Sequence, residues 1–215
     1  MKYLSLAVID GLGKETKLYF EIIERILKQN PFLNINDVCY ITADTECKNK
    51  NYNIKYIETL NYSQFNQFLF KELGDFCVNE NIMYIQTDGF PINPHLWNPE
   101  FLNYDYIGAP WPSNCLWCKS KPKVGNGGFS LRTKTLYEQT KKVNNFKMFA
   151  DRGTNEDVFI CHILEEFLLQ NGIKMAPVEL AKQFSMESPI DDKHTLNSVY
   201  GFHGNWLVSQ INTEK

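Results

Sequence analysis

Two unbroken apolar runs with a helical pattern between them, all near the start of the chain, restrict its possible folds more than any other feature. Tyr3 to Ile9 (YLSLAVI) is apolar apart from one serine and ends at Asp10-Gly11, as a buried strand does on entering a loop. Leu18, Ile22, Ile23, Ile26 and Leu27 then recur at helical spacing until Asn30-Pro31 stops them. Val38 to Thr42 (VCYIT) is a second buried strand, ending at Ala43-Asp44. Strand, helix and strand in this order open an α/β sheet. Ile54 to Ile57 reads as a short third strand, Phe65 to Phe76 as a second helix, and Ile82 to Gln86 (IMYIQ) as a strand that delivers Thr87-Asp88-Gly89 at its end. In open α/β sheets, ligands collect at the carboxyl ends of strands, which draws attention to that tripeptide.

Between Pro91 and Val124 the texture changes to Pro, Trp, Asn and Gly without periodicity, as expected of a long connection that carries function. Order resumes with Gly127 to Leu131 as a strand and a helix from about Lys134. Glu156 to Gln170 should form the best-defined helix, with an apolar stripe through Val158, Ile160, Cys161, Leu164, Phe167 and Leu168 and a cap at Asn171-Gly172. No repeat, low-complexity tract or linker divides the chain, so we expect one domain over residues 1–215. Its fold class would be α/β, with a mixed, mostly parallel central sheet flanked by helices.

Charge and cysteine usage narrow the partners. A formal net charge of −3 provides no global positive field, so long nucleic acid is a disfavoured partner. Six cysteines follow a start, MKYLSLAVIDGLGKE, that lacks the basic and apolar regions of a signal peptide; reduced thiols and a cytoplasmic setting are the expectation. Cys115 and Cys118 form a lone C-x-x-C, and no second pair at suitable spacing accompanies it for zinc. No apolar run reaches the roughly 18 residues of a membrane span. The 15 Phe, 11 Tyr and 4 Trp could line a site for flat ligands, although each ring taken singly is more simply core.

Four short segments hold groups suited to chemistry. Asp88, between Thr87 and Gly89 after an apolar strand, could reach a cation, yet Asp-Gly is also ordinary turn chemistry. Gly125-Asn126-Gly127-Gly128 is a permissive loop whose amides could face a phosphate or a sugar hydroxyl, or simply make a hairpin turn. Asn155-Glu156-Asp157 places two acids where a helix dipole favours them whatever the function, and where a general base could also stand. Gly201-Phe202-His203-Gly204 sets an imidazole between glycines, open to a metal or merely polar surface.

Taken in order, IQTDGF (85–90), NPHLW (93–97), YDYIGAPW (104–111), VGNGGFSLR (124–132), NEDVFIC (155–161), MAPVELAKQFSME (175–187) and GFHG (201–204) resemble the DUF5672 group, read as glycosyltransferases related in pattern to GT-A enzymes. The resemblance covers roughly residues 80–204 and implies a single GT-A-like domain that moves a sugar from a nucleoside diphosphate sugar to an acceptor hydroxyl. By the same resemblance Gln86-Thr87-Asp88 occupies the place of the metal-binding acidic motif. Asp88 is then the matching carboxylate, and the first acid of the usual D-x-D is absent. Asp88 and His203 would help hold Mn²⁺ or Mg²⁺ on the donor diphosphate. Asn126, Gly127 and Gly128 would lie along the donor sugar. Asp157 would be the base of an inverting transfer, with Glu156 touching donor or acceptor. Ile9, Asp10 and Asp44 would flank the nucleotide base. The acceptor could be a glycan, a protein side chain or a modified nucleobase. Two rivals use the same residues: a metal-dependent phosphoesterase or nucleotidyltransferase built on Asp88, Glu156, Asp157 and His203, and a non-catalytic sugar-nucleotide-binding module.

Overall fold

The computed structural model describes residues 2–212. Strand β1 (Leu4–Asp10) is buried along its whole length, and its two-residue period divides it between two cores: Leu4, Leu6 and Val8 face one, Ala7 and Ile9 the other. Helix α1 (Thr16–Gln29) crosses to β2 (Ile35–Thr42), which pairs with β1 in parallel. The buried stripe of α1 is Tyr19, Ile22, Ile23 and Ile26, whereas Leu18 faces outward. A short parallel edge strand, β3 (Asn53–Tyr56), follows.

The expected second helix is longer and divided. α2 (Tyr62–Lys71) starts at a capping box in which Asn61 and Gln64 satisfy each other's backbone amides, and α3 (Leu73–Phe76) continues after a bend at Glu72. β4 (Asn81–Tyr84) then returns along the other side of β1. The connection from 91 to 124 is irregular, as its composition implies, but it carries short strands: β5 (Gly89–Pro91) at its start, then β6 (Tyr106–Gly108), β7 (Pro110–Trp111) and β8 (Lys123–Val124). β9 (Ser130–Thr133) begins three residues later than the apolar pattern indicated, leaving Gly127 to Phe129 as an irregular approach.

The central sheet has the order β3-β2-β1-β4-β9-β6, with β9 antiparallel to both neighbours. It is a mixed, mostly parallel sheet in an α/β fold with helices packed against it. Strand order reverses between β1 and β4, so their carboxyl ends flank a switch-point crevice. Helices α4 (Lys134–Thr140) and α5 (Phe146–Ala150) lead to the segment that the apolar stripe marked as one regular helix. It is instead three pieces: α6 (Glu156–Val158), a π turn over Phe159–Ile163, and α7 (Glu165–Gln170) after a kink at Leu164. In the π turn the Leu164 amide donates to the Phe159 carbonyl, inserting a residue into the helical repeat. The stripe rotates with it, leaving Leu168 buried and Phe167 exposed.

The last elements are α8 (Val178–Phe184), β10 (Ser185–Met186), β11 (Gly201–His203) and α9 (Asn205–Asn212). β10, β11 and β5 make a small second sheet in which β11 runs antiparallel to β5. Beneath it the rings of Phe101, Phe129, Phe184 and Tyr200 pack together, Phe129 stacked on Phe184 with centroids 4.7 Å apart. Much of the aromatic surplus is therefore core. The six cysteines are free thiols, and no helix among the described residues is long and apolar enough to cross a membrane.

Candidate functional site

At the carboxyl end of β1, a cleft of about 410 Å³ opens between the loop after Asp10 and the start of α2, lined among others by Ile9, Leu12, Lys14, Tyr19, Tyr62 and Phe65. Asp10 is 3% exposed, and its carboxylate accepts from the Lys14 and Glu15 amides, the Thr16 hydroxyl and the Tyr40 hydroxyl. It shapes the cleft by holding this loop against the start of α1. Asp44 does not line the cleft; its carboxylate accepts from the Thr16 hydroxyl and the Glu46 amide. The loop is tight because Gly13 has φ +65° and a Cβ there would stand 2.5 Å from the Asp44 nitrogen. Tyr19 joins this cleft to the next strand end. Burial raises its phenol pKa, as do the charges of Asp10 and Asp88, while a contact with the Thr87 backbone opposes the rise.

Thr87 and Asp88 form the tip of a two-residue turn closed by reciprocal bonds between the Gln86 and Gly89 backbones. Pairing of β5 with β11 sets His203 opposite Gly89, and the Gly204 amide donates to the Asp88 carbonyl at 2.7 Å. As a result His203 Nε2 lies 3.7 Å from Asp88 Oδ1 and 3.1 Å from Gln86 Oε1. On the other side of the ring, Nδ1 stands 3.5 Å from Glu187 Oε1, too far for a good hydrogen bond, so that attraction is mainly electrostatic. Burial pushes the His203 pKa down, but Glu187 and then Asp88 outweigh it, and the net shift is upward. Gln86, Asp88 and His203 bring two oxygens and a nitrogen together at this turn. Among the described residues no group of three or more His, Cys, Asp or Glu side chains is gathered to hold a metal alone.

The Asn126–Gly128 loop separates this cluster from the acid pair. A Cβ on Gly128 would stand 2.1 Å from His203 Nε2, and one on Gly127 would stand 2.4 Å from Glu156 Oε1, so each glycine is pressed against one cluster. Asn126 is buried and takes the Gly128 amide at a long 3.4 Å. Glu156 binds Arg132 at 2.7 Å in a buried ion pair, and Arg132 also donates to the Gly127 carbonyl. Its guanidinium lies 5.5 Å and 5.4 Å from the ring centroids of Tyr84 and Tyr106. This oxygen of Glu156 therefore fixes the loop from beneath.

Asp157 accepts from the Gly127 amide at 2.9 Å and from the Val158 amide at 2.6 Å. Burial and, second, the charge of Glu156 push its pKa up to about 7, against the opposing pull of those two amides and Arg132. A position at a helix start would by itself lower that pKa. Here only one short turn of α-helix precedes the π turn, and desolvation outweighs its dipole. The Tyr62 hydroxyl donates to Asn155 Oδ1, tying the cleft to the segment that carries the acids.

Asp88, His203, Asn126, Gly127, Gly128, Glu156 and Asp157 thus form one continuous neighbourhood, with Thr87 linked through Tyr19 to the cleft of Ile9 and Asp10; Asp44 stays outside. Reading the residues alone missed Glu187, Arg132, Tyr19 and Tyr62. Arg132 had a signal, since a cation inside an apolar strand pattern must find a buried partner. Glu187 had none, because it precedes a turn and its role arises from sheet pairing. Among known proteins, the family model described as "Protein of unknown function (DUF5672)" matches residues 43–203. No curated protein matches the chain.

Proposed function

The chain belongs to the DUF5672 family, and from that premise we propose that it is a GT-A-like glycosyltransferase. It would take a nucleoside diphosphate sugar as donor and an acceptor hydroxyl as nucleophile, with inversion at the sugar. The observation that carries this reading is the pairing, across a single glycine loop, of a carboxyl group poised near pH 7 with an acid–imidazole cluster at a switch-point strand end. The first suits a general base, whose pKa should lie near the working pH. The second lies where α/β folds gather nucleotides.

In this reading the nucleoside occupies the cleft of Ile9, Tyr19 and Phe65, and the diphosphate runs toward Asp88. Asp88 and His203 Nε2 would hold Mn²⁺ or Mg²⁺, with phosphate oxygens and water completing the shell. Such an ion would neutralise charge on the departing diphosphate. To bind a metal, Nε2 would have to exchange its 3.1 Å contact with Gln86 Oε1 for the ion, with the proton on Nδ1 facing Glu187. Gly127 and Gly128, which let His203 and Glu156 pack directly on the loop backbone, would set the loop's position along the donor sugar. Asp157 would take the proton from the acceptor hydroxyl while Arg132 and Glu156 keep the loop above it in place.

The test is a thermal-shift screen of common nucleoside diphosphate sugars with and without Mn²⁺, followed by measurement of donor hydrolysis. A ligand that binds the folded state alone stabilises it by mass action, roughly 2.7 kcal/mol at a hundredfold excess over Kd. We expect at least one donor to stabilise the protein in an Mn²⁺-dependent manner. Release of phosphate from simple phosphoesters with no response to any nucleoside diphosphate sugar would replace this reading with the phosphoesterase.

A further inference from the structure

A second and larger concavity lies outside the donor cleft. Between the 187–197 loop and α9 runs a groove of about 650 Å³, with buried Met186 and Leu207 at its base, Leu196 in its wall, and exposed Asp192, Asn197 and Trp206 around it. Trp206 keeps 51% of its surface in solvent although it is the largest apolar side chain there. It is not loosely attached. The indole lies against Gly204, where a Cβ would stand 2.3 Å from Nε1 and φ is +125°. The same glycine donates its amide to the Asp88 carbonyl. An exposed aromatic plane is thereby fixed two residues from Gly204, beside the Asp88–His203 pair, while Met186 leads directly into Glu187 on the other flank.

The chemistry of this groove is selective. Among its lining residues there is no Lys or Arg, and its charged groups are Asp191 and Asp192, of which Asp191 is paired with Lys182 and caps the His194 turn. The lining therefore offers no cation to draw in phosphate, sulfate or a nucleic-acid backbone. A flat indole beside carboxylate and amide side chains suits a ligand with C–H faces and many hydroxyls: the ring packs on the apolar face, and carboxylate and amide accept the O–H bonds.

We propose that this groove binds a neutral saccharide, which serves as the acceptor of the transfer. Its role as acceptor rests on the transferase reading above; its saccharide chemistry rests on the groove alone. Gly204 links the groove to the open cluster: its amide donates to the Asp88 carbonyl and the Trp206 indole lies against it. Protein side chains and modified bases, the other acceptor classes open at the sequence level, become outcomes of the test.

¹⁵N-labelled protein is titrated with lactose, N,N′-diacetylchitobiose and maltotriose, and separately with a Ser/Thr-rich peptide and with adenosine. The Trp206 indole signal is identified by its loss in Trp206→Phe. At least one saccharide should move that signal with saturation in the millimolar range, and neither the peptide nor adenosine should. Trp206→Ala, which removes a half-exposed ring, should keep the parent's melting temperature. It should raise the saccharide KM roughly tenfold with a much smaller change in kcat. Silence from all three saccharides, a response to peptide or adenosine instead, or an unchanged saccharide KM in Trp206→Ala would overturn the proposal. Saccharide binding at Trp206 in a protein that binds no nucleoside diphosphate sugar would sink the transferase and leave a saccharide-binding groove, so the two failures are distinguishable.

Discussion

Behind the Gly127–Gly128 loop, Glu156 is paired with Arg132 and Asp157 with the Gly127 and Val158 amides, all buried; in front of it, Asp88 and Glu187 flank His203, with 16%, 29% and 17% of their side-chain surfaces exposed. Each cluster has two acids and one base. In the buried cluster the surplus negative charge cannot be solvated, so Asp157 holds its proton up to about pH 7. In the open cluster, water and arriving ligands can meet the surplus charge. Burial, rather than residue type, separates the two clusters, and on the transferase proposal it suits one to accept a proton and the other to hold a cation.

The sharpest attack on that contrast is Asp157→Asn. Sugar transfer should fall by roughly two to four orders of magnitude while donor affinity stays near the parent's. In the parent, kcat/KM should rise with pH through an apparent pKa near 7 as Asp157 ionises, and the variant should lack that limb. Single-turnover transfer and donor titration on one preparation decide it; full transfer would remove Asp157 from the chemistry.

Next in size is Arg132→Met, which strands Glu156 as an unpaired buried acid. Unfolding in urea should reveal a loss of about 3–5 kcal/mol. Glu187→Gln, its counterpart in the open cluster, should cost less than about 1 kcal/mol. Equal losses would mean that burial does not separate the two.

The loop that divides the clusters offers a third test. Gly128→Ala must displace the His203 ring, and we expect Mn²⁺-dependent donor affinity to drop roughly 10- to 100-fold, as it should in Asp88→Ala and His203→Ala. Isothermal titration with and without Mn²⁺ measures this. Unchanged affinity in all three variants would detach the open cluster from the donor.

The two clusters should also differ in how stability depends on pH. Asp157 has a folded pKa above its unfolded value, so its contribution is fully present below about pH 4 and is lost as pH rises through about 7. Asparagine does not titrate. The melting temperature of the parent relative to Asp157→Asn should therefore decline across that window and level off above it.

Much of the fold was legible in the chain itself. β1, α1, β2 and β4 each bury a face set by local periodicity, and Asp10-Gly11 and Asn30-Pro31 mark their ends with turn chemistry that needs no distant partner. The ordered motifs from Ile85 to Gly204 likewise held Asp88, Gly127, Gly128, Asp157 and His203 in plain view. Tertiary structure decided the rest. Leu164 closes a π turn where the apolar stripe promised a regular helix, because packing of Phe159 and Leu168 overrode the local repeat. Arg132 needed Glu156, and His203 needed Asp88 and Glu187; these partners meet only when β9 enters the main sheet and β11 pairs with β5 and β10. A residue pattern records which face is buried. Which buried or half-buried charges face one another, and hence that Asp157 keeps its proton near neutrality, depends on contacts between segments far apart in the chain, for which no local signal exists.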